Sequence, residues 1–443
     1  MQNLNRIFIN LFSVQFDFLL QKRKVYLIKY RFEFKMKTKL KILCLLLIAI
    51  QLFTYTQCQS DDGLLKLILL QDYQNARCLD GTSPGFYFRE GQGEGRNNFM
   101  IHLQGGAWCQ GSNEEEIIDS CLQRSKTSLG SSSFWPQNMT NSANLDQSIT
   151  KNPAFYNWNV IFVNYCDGFA YQGNSQRELN STTTLYFRGK ENMIALFNYL
   201  QKNMNITNAN RIVLSGSSAG GIGATNWSQY LRSLMPQKVL VQLISDSGFF
   251  VDDGWFNPKM WQLQMDIAYN KQRKEIIPLN CQYLKDDTQL YKCIQPVYNY
   301  YQLEIPSLFL LSSYDTYVLA IQKQVKCLKT KNGFYSFYNC NDQQWKLIEE
   351  LRTKTIQTLQ QVFVDKKNIS VWTVSCINHM FELDYPFYNS GLFTSPYPNG
   401  VTASESIVQF LREPFSQKQY IDMSAYPENE KCSYLVTSKS SQL

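Results

Sequence analysis

One pentapeptide constrains this chain more than any other feature. Gly216-Ser217-Ser218-Ala219-Gly220 follows the apolar run Ile212-Val213-Leu214 and precedes a stretch of helical character. Gly-x-Ser-x-Gly between a strand and a helix is a reversal so tight that flanking side chains must be small. The glycines let the two backbones approach, and the strained turn holds Ser218 above the sheet that the strand joins. A serine presented in this way is a candidate nucleophile. The chain around it must then supply a strand before the turn and a helix after it.

The rest of the sequence meets that demand. Apolar runs of strand length recur at Phe99–Leu103, Val160–Val163, Ile212–Leu214, Val239–Ile244, Ser307–Leu311 and Ile369–Val374. They are continuous rather than alternating, as expected of strands buried on both faces of a parallel sheet. Helical spacing of apolar residues appears at Glu191–Leu200 and Trp345–Val364. Strand and helix alternate, which predicts an α/β fold, α/β-hydrolase-like, with a mostly parallel sheet flanked by helices. Ser125–Asn138, Gly168–Ser181 and Val251–Lys292 read as loops or lid insertions. No linker divides the region, so residues 59–443 are expected to form a single domain.

The net charge of +7 does not signal nucleic-acid binding. Residues 1–41 hold ten Lys or Arg and two acids, whereas the remainder has 33 basic and 34 acidic residues. The excess belongs to the leader, and no basic stripe is left to attract a polyanion. Met36–Lys41 is a short basic segment, residues 42–53 are apolar apart from Gln51, and 54–58 resemble a cleavage region. Residues 36–58 therefore read as a signal peptide. Twelve apolar residues are too few to span a bilayer comfortably. Residues 1–35 fit no part of that plan and read as a non-native extension of a chain that starts at Met36.

The cysteines agree with an oxidising compartment. Removal of Cys44 and Cys58 with the leader leaves ten, an even number consistent with five disulfides. The close pairs Cys281/Cys293 and Cys327/Cys340 are candidates. With no Cys-x-x-Cys pair and two histidines, a zinc site is not expected. Asn-x-Ser/Thr sequons stand at Asn138, Asn180, Asn205, Asn226 and Asn368.

A nucleophilic serine needs a base, an orienting acid and an oxyanion hole. His102 and His379 are the two candidate bases. In this fold the chain order is Ser, acid, His, so His379 fits and His102 reads as a core or supporting residue. Asp315 follows the run Ser307–Leu311 and is the favoured acid. Asp246 also ends a strand and is its main rival, while Asp252 and Asp253 read as loop carboxylates. The Gly-rich loop after Phe99–Leu103 offers backbone N–H groups at Gly106 and Ala107, which with Ala219 would hold a developing oxyanion. Trp108, Phe249, Phe250, Trp255 and Phe256 are aromatic candidates for a substrate pocket, and Trp108, Phe249 and Phe250 are the ones favoured.

These motifs together resemble the pectin acetylesterase family, which includes plant pectin acetylesterases and the animal carboxylesterase Notum. The resemblance rests on Gly105-Gly-Ala-Trp-Cys109, Cys121 with Thr127–Ser132, Asn164-Tyr-Cys-Asp-Gly168 and Leu185-Tyr-Phe-Arg-Gly189. It continues through Gly216–Gly221, Asp246-Ser-Gly-Phe249, Tyr314-Asp315 and Cys376 with His379. It implies a Ser218–Asp315–His379 triad, two-step ester hydrolysis without metal or organic cofactor, and an acylated glycan or another ester as substrate. Ala107 stands where plant members usually have a third glycine, and Gln104 where an acid is common. Thr316-Tyr-Val lacks a nearby Gln, and Asn378-His-Met also departs from the usual pattern. These changes leave the reaction class and bear on the substrate. Short acyl esters on a glycan are the favoured reading. Removal of a fatty acyl group from a protein, or glycan binding without catalysis, are the alternatives.

Overall fold

All six apolar runs become strands of one ten-stranded sheet. The computed structural model describes residues 63–428, apart from 141, 253–257, 271–286, 332–333, 384–387, 389–393 and 397–399. The leader, Asp253, Trp255, Phe256 and Cys281 lie outside the described residues. The residues described form one compact unit.

The strands begin with β1 (Leu65–Leu69), β2 (Gly85–Arg89), β3 (Asn98–Leu103), β4 (Asn138–Met139) and β5 (Asn159–Val163). A separate hairpin pairs β6 (Ser175–Asn180) with β7 (Thr183–Phe187). Next come β8 (Arg211–Ser217), β9 (Leu240–Asp246) and β10 (Ser307–Asp315). A second hairpin, β11 (Leu328–Lys331) with β12 (Phe334–Phe337), is closed by Cys327–Cys340. β13 (Ile369–Asn378) and β14 (Gln419–Ile421) complete the set. The order across the large sheet is β14-β13-β10-β9-β8-β3-β5-β2-β1-β4. Neighbours from β14 to β5 are parallel, and β2, β1 and β4 add an antiparallel edge.

The continuous apolar runs have a simple cause. Side chains alternate between faces along a strand, and both faces here are covered. Ile212 and Leu214 join one core layer and Val213 the other. In β10, Phe309 and Leu311 face the first layer while Leu308 and Leu310 face the second. The first layer is closed by α2 (Gly189–Asn203), α3 (Ala219–Leu234) and α5 (Asp342–Asp365), which contribute Met193, Trp227 and Leu359 among others. The second includes Phe155, Trp158 and α6 (Ala403–Arg412) through Ile407 and Phe410. α1 (Glu114–Arg124) and α4 (Pro258–Tyr269) complete the longer helices described. None of the helices described is long and apolar enough to cross a membrane.

Two segments read as loops hold regular structure. Val251–Lys292 is not simply a loop, because α4 lies within it. Its buried residues Trp261, Gln264, Met265 and Ala268 recur at helical spacing, which the surrounding polar sequence obscures. Gly168–Ser181 contains β6 rather than loop alone. Asn226 is wholly buried in α3, with its amide donating to the Ile294 carbonyl, so this sequon is structural rather than a surface acceptor. Disulfides Cys78–Cys166 and Cys109–Cys121 add to Cys327–Cys340, and Cys293 and Cys376 are also disulfide-bonded.

Candidate active site

Four strands run two to four residues past their apolar runs into polar residues, and the site stands on those ends. β8 ends at Ser217, β9 at Asp246, β10 at Asp315 and β13 at Asn378. Register pairs Ser217 with Asp246 and Asp315 with Asn378. Parallel strands bring all their C-terminal ends to one edge, the usual place for a site in such sheets.

At that edge Ser218 is held at φ 57°, ψ −122° as α3 begins. The turn tolerates nothing larger than glycine on either side. A Cβ on Gly216 would lie 2.2 Å from the Gly220 carbonyl oxygen, and one on Gly220 would lie 2.0 Å from that of Leu103. Ala107, Ser247 and Met380 also have positive φ (53°, 53° and 73°). Each such residue costs about 1–2 kcal/mol, so four around one site mark a region shaped for something other than stability.

The structure brings Ser218, His379 and Asp315 into one hydrogen-bonded series. His379 Nε2 lies 2.8 Å from Ser218 Oγ, and Nδ1 lies 2.7 Å from Asp315 Oδ2. The other Asp315 oxygen accepts the N–H groups of Tyr317 (2.9 Å) and Val318 (3.1 Å), which fixes the carboxylate. Burial by itself pushes the His379 pKa down. The Asp315 charge and hydrogen bond, helped by the Asp246 charge, outweigh it and raise the value above the ordinary 6.5. Ser218 is 3% exposed.

The Gly-rich loop sits beside this series. A Cβ on Gly105 would lie 3.0 Å from that of Ser218. The loop is strapped on several sides: Tyr171 Oη donates to the Gln104 carbonyl, and the Arg124 guanidinium donates to the Gly106 carbonyl. Gln264 donates to the Cys109 carbonyl, and Cys109 is bonded to Cys121. The N–H groups of Gly106 and Ala107 have no hydrogen-bond partner among the described residues. Two donors held rigidly beside a serine are suited to an anionic oxygen.

The pectinacetylesterase family profile matches residues 58–433. The chain belongs to the pectinacetylesterase family. Membership makes it a carboxylic ester hydrolase. It is 29% identical to pectin acetylesterase 5 of Arabidopsis thaliana, over 84% of this chain and 85% of that one. It is 27% identical to pectin acetylesterase 4 of the same plant, over 84% and 89%. The palmitoleoyl-protein carboxylesterase NOTUM of Schmidtea mediterranea is 26% identical, over 69% of this chain and 56% of that protein.

In this pectinacetylesterase-family chain Asp246, the rival of Asp315 as the orienting acid, takes a different place. Its Oδ2 accepts the N–H groups of Phe381 (2.7 Å) and Glu382 (2.9 Å) and the Ser217 hydroxyl (3.0 Å). Its carboxylate therefore braces the turn after His379. His102 lies beneath, fully buried and stacked on Phe162. Ser217 donates to Asp246, so it accepts from His102 Nε2–H (3.3 Å). Asn144 then donates to the bare Nδ1 (3.4 Å) and to Glu382 Oε1 (3.0 Å). Burial pushes the His102 pKa down to about 3, which keeps it neutral. Burial and the Asp246 charge push the Glu382 carboxyl well up.

Aromatic side chains wall one side of His379. Tyr317 stacks on its ring at 5.5 Å, with Phe250 at 6.3 Å. Trp108 packs on Phe250, Trp261 and Tyr317. Phe249 packs on Phe309 and Tyr300, away from the His379 ring contacts of Phe250 and Tyr317. Sequence reasoning passed over Arg124, Tyr317, Trp261, Asn144 and Glu382. Tyr317 was the most accessible of these, since it lies two residues after the favoured acid.

Proposed function

We propose that this chain is a secreted serine carboxylesterase that removes acetyl groups from a polysaccharide. The observation that carries the reading is the hydrogen-bonded series from Ser218 through His379 to Asp315. His379 takes the Ser218 proton as Oγ attacks the ester carbonyl. The N–H groups of Gly106, Ala107 and Ala219 stabilise the oxyanion, at about 3–4 kcal/mol per donor. His379 then protonates the departing sugar oxygen, which leaves as a hydroxyl, and an acyl-enzyme remains on Ser218. Water then attacks the acyl carbon and loses a proton to His379, which passes a proton to Ser218 Oγ as the acyl–oxygen bond breaks and acetate leaves. Asp315 keeps the imidazole in the Nδ1–H tautomer and stabilises its charged form.

Two observations favour a short acyl group. Relatives that share most of their length with this chain are named pectin acetylesterases. In addition, Trp108, Phe250 and Trp261 are only 4%, 3% and 4% exposed, with Trp108 packed on the other two. The similarity to palmitoleoyl-protein carboxylesterases supplies the competing reading, removal of a fatty acyl group from protein.

Hydrolysis of p-nitrophenyl acetate and p-nitrophenyl octanoate by the secreted full-length protein and Ser218→Ala tests both. Activity on acetate that vanishes in the variant is expected. Preference for octanoate moves the assignment to fatty-acyl removal, and folded protein inert on both esters moves it to glycan binding without catalysis. Export through the signal peptide at residues 36–58 belongs to the same proposal. Intact-mass measurement checks it, and a mature N-terminus before Met36 would count against it.

A further inference from the structure

We propose that Arg124 is a positioning residue for the oxyanion hole, acting through the Gly106–Ala107 peptide. This rests on the esterase reading above. Arg124 lies in the last turn of α1, which Cys109–Cys121 ties to the Gly-rich loop. Its Nη2 donates to the Gly106 carbonyl, its Nε donates to the Leu129 carbonyl (3.2 Å), and its guanidinium lies over the Tyr165 ring at 5.0 Å. Those three contacts leave the guanidinium little freedom. Its charge also opposes the burial that raises the carboxyl of Asp167 to about 7. Asp167 in turn accepts the N–H groups of Phe169 and Tyr171 at the loop's base.

The Gly106 carbonyl and the Ala107 N–H belong to one planar, conjugated unit and point to opposite sides. A cation on the oxygen draws electron density from the nitrogen and makes the N–H a stronger donor. Successive hydrogen bonds strengthen one another by about 10–30%, and charged partners roughly double the strength of a bond. The Ala107 N–H is the free end of this arrangement, with no partner among the described residues. Arg124 therefore does two things. It holds the peptide plane against rotation, with Ala107 kept at φ 53°, and it polarises the donor that meets the oxyanion. Both effects operate on the tetrahedral state, where the oxygen carries charge, more than on the bound ester.

The test uses full-length protein with Arg124→Lys and Arg124→Met. Three quantities are read: steady-state kinetics on p-nitrophenyl acetate, affinity for an alkylboronic acid whose tetrahedral serine adduct places an oxygen in the hole, and Tm. Loss of a whole oxyanion donor costs about 10²–10³ in kcat, so loss of its support is expected to cost about tenfold in Arg124→Met. KM should stay within about twofold, and boronate affinity should fall by the same factor as kcat. Arg124→Lys should fall between, because it keeps the charge and loses the fork. Wild-type kcat and boronate affinity in the folded variants overturn the role, as does a kcat loss that boronate affinity does not follow. If Arg124→Met fails to fold, Arg124→Lys decides by the same criteria. Ser218→Ala separates the two proposals. Activity persisting there defeats the esterase reading, whereas activity lost there with unchanged Arg124 variants defeats only the role of Arg124.

Discussion

Asp246 and Ser218 are joined main chain to main chain: the Ser218 N–H donates to the Asp246 carbonyl at 2.8 Å. The carboxylate of the same aspartate holds the turn that follows His379, and the neighbouring Ser247 hydroxyl accepts the Met380 N–H at 3.0 Å. One strand end thus sets the spacing between the serine and the histidine through the chain on either side of them.

Asp246→Asn should expose that role. The amide keeps one acceptor oxygen and sets an NH2 group against either Ser247 or the donors of Ser217, Phe381 and Glu382. A buried donor left without its acceptor costs about 1–3 kcal/mol. Stability should fall by that amount in urea unfolding. kcat should fall by about 10- to 100-fold, the cost of a small misplacement of the base. Wild-type kcat in the folded variant would remove Asp246 from the positioning of His379.

The pH profile should report His379. In the proposed mechanism His379 must be neutral to accept the Ser218 proton, so kcat/KM falls as pH drops through its pKa. The Asp315 charge and hydrogen bond raise that pKa, so the acid limb should lie above the ordinary 6.5. In Asp315→Asn the charge is gone, the limb moves to lower pH, and kcat drops sharply because an amide that can also donate no longer enforces the tautomer. A limb that does not move would mean that another group controls the profile.

His102 should make the fold acid-sensitive. Its folded pKa, about 3, lies below the ordinary 6.5, so between those values the unfolded chain binds the extra proton. Stability is then fully present above about 6.5 and is lost as pH falls towards 3, by about 1.4 kcal/mol per pH unit from this residue. His102→Gln keeps a donor near Ser217 and does not titrate. Urea unfolding at several pH values from 6.5 to 4.5 should show the wild type losing stability more steeply than the variant. Parallel slopes would contradict a neutral buried histidine.

Glycan mapping of protein exported from eukaryotic cells should separate the sequons. Asn138, Asn180 and Asn205 are exposed, and glycans are expected there. Asn226 is buried, and the Asn368 amide is bonded to the Leu303 and Ile305 carbonyls at 3.0 and 2.8 Å. Peptide mass spectrometry after enzymatic deglycosylation should therefore find Asn226 and Asn368 unmodified. A glycan at Asn226 would be incompatible with the packing of α3.

Much of this protein is written in local pattern. Continuous apolar runs mark strands covered on both faces, because alternating side chains then all meet core. Small residues around Ser218 mark a turn where backbones nearly touch, so the reversal and its serine are legible without a structure. The chain order of Ser218, Asp315 and His379 is equally legible. Pairings between distant segments are not. Asp246 and Asp315 both end strands, and nothing local tells which carboxylate will face a histidine 64 residues beyond Asp315. That choice follows from strand order and register, which set Asp315 beside Asn378 and Ser217 beside Asp246. The bonds of Arg124 to the Gly-rich loop, the neutral tautomer of His102 and the packing of Phe249 on Phe309 belong to the same class. Each depends on which surfaces meet once the sheet has closed its two layers, a property of packing that period and spacing along one chain do not encode.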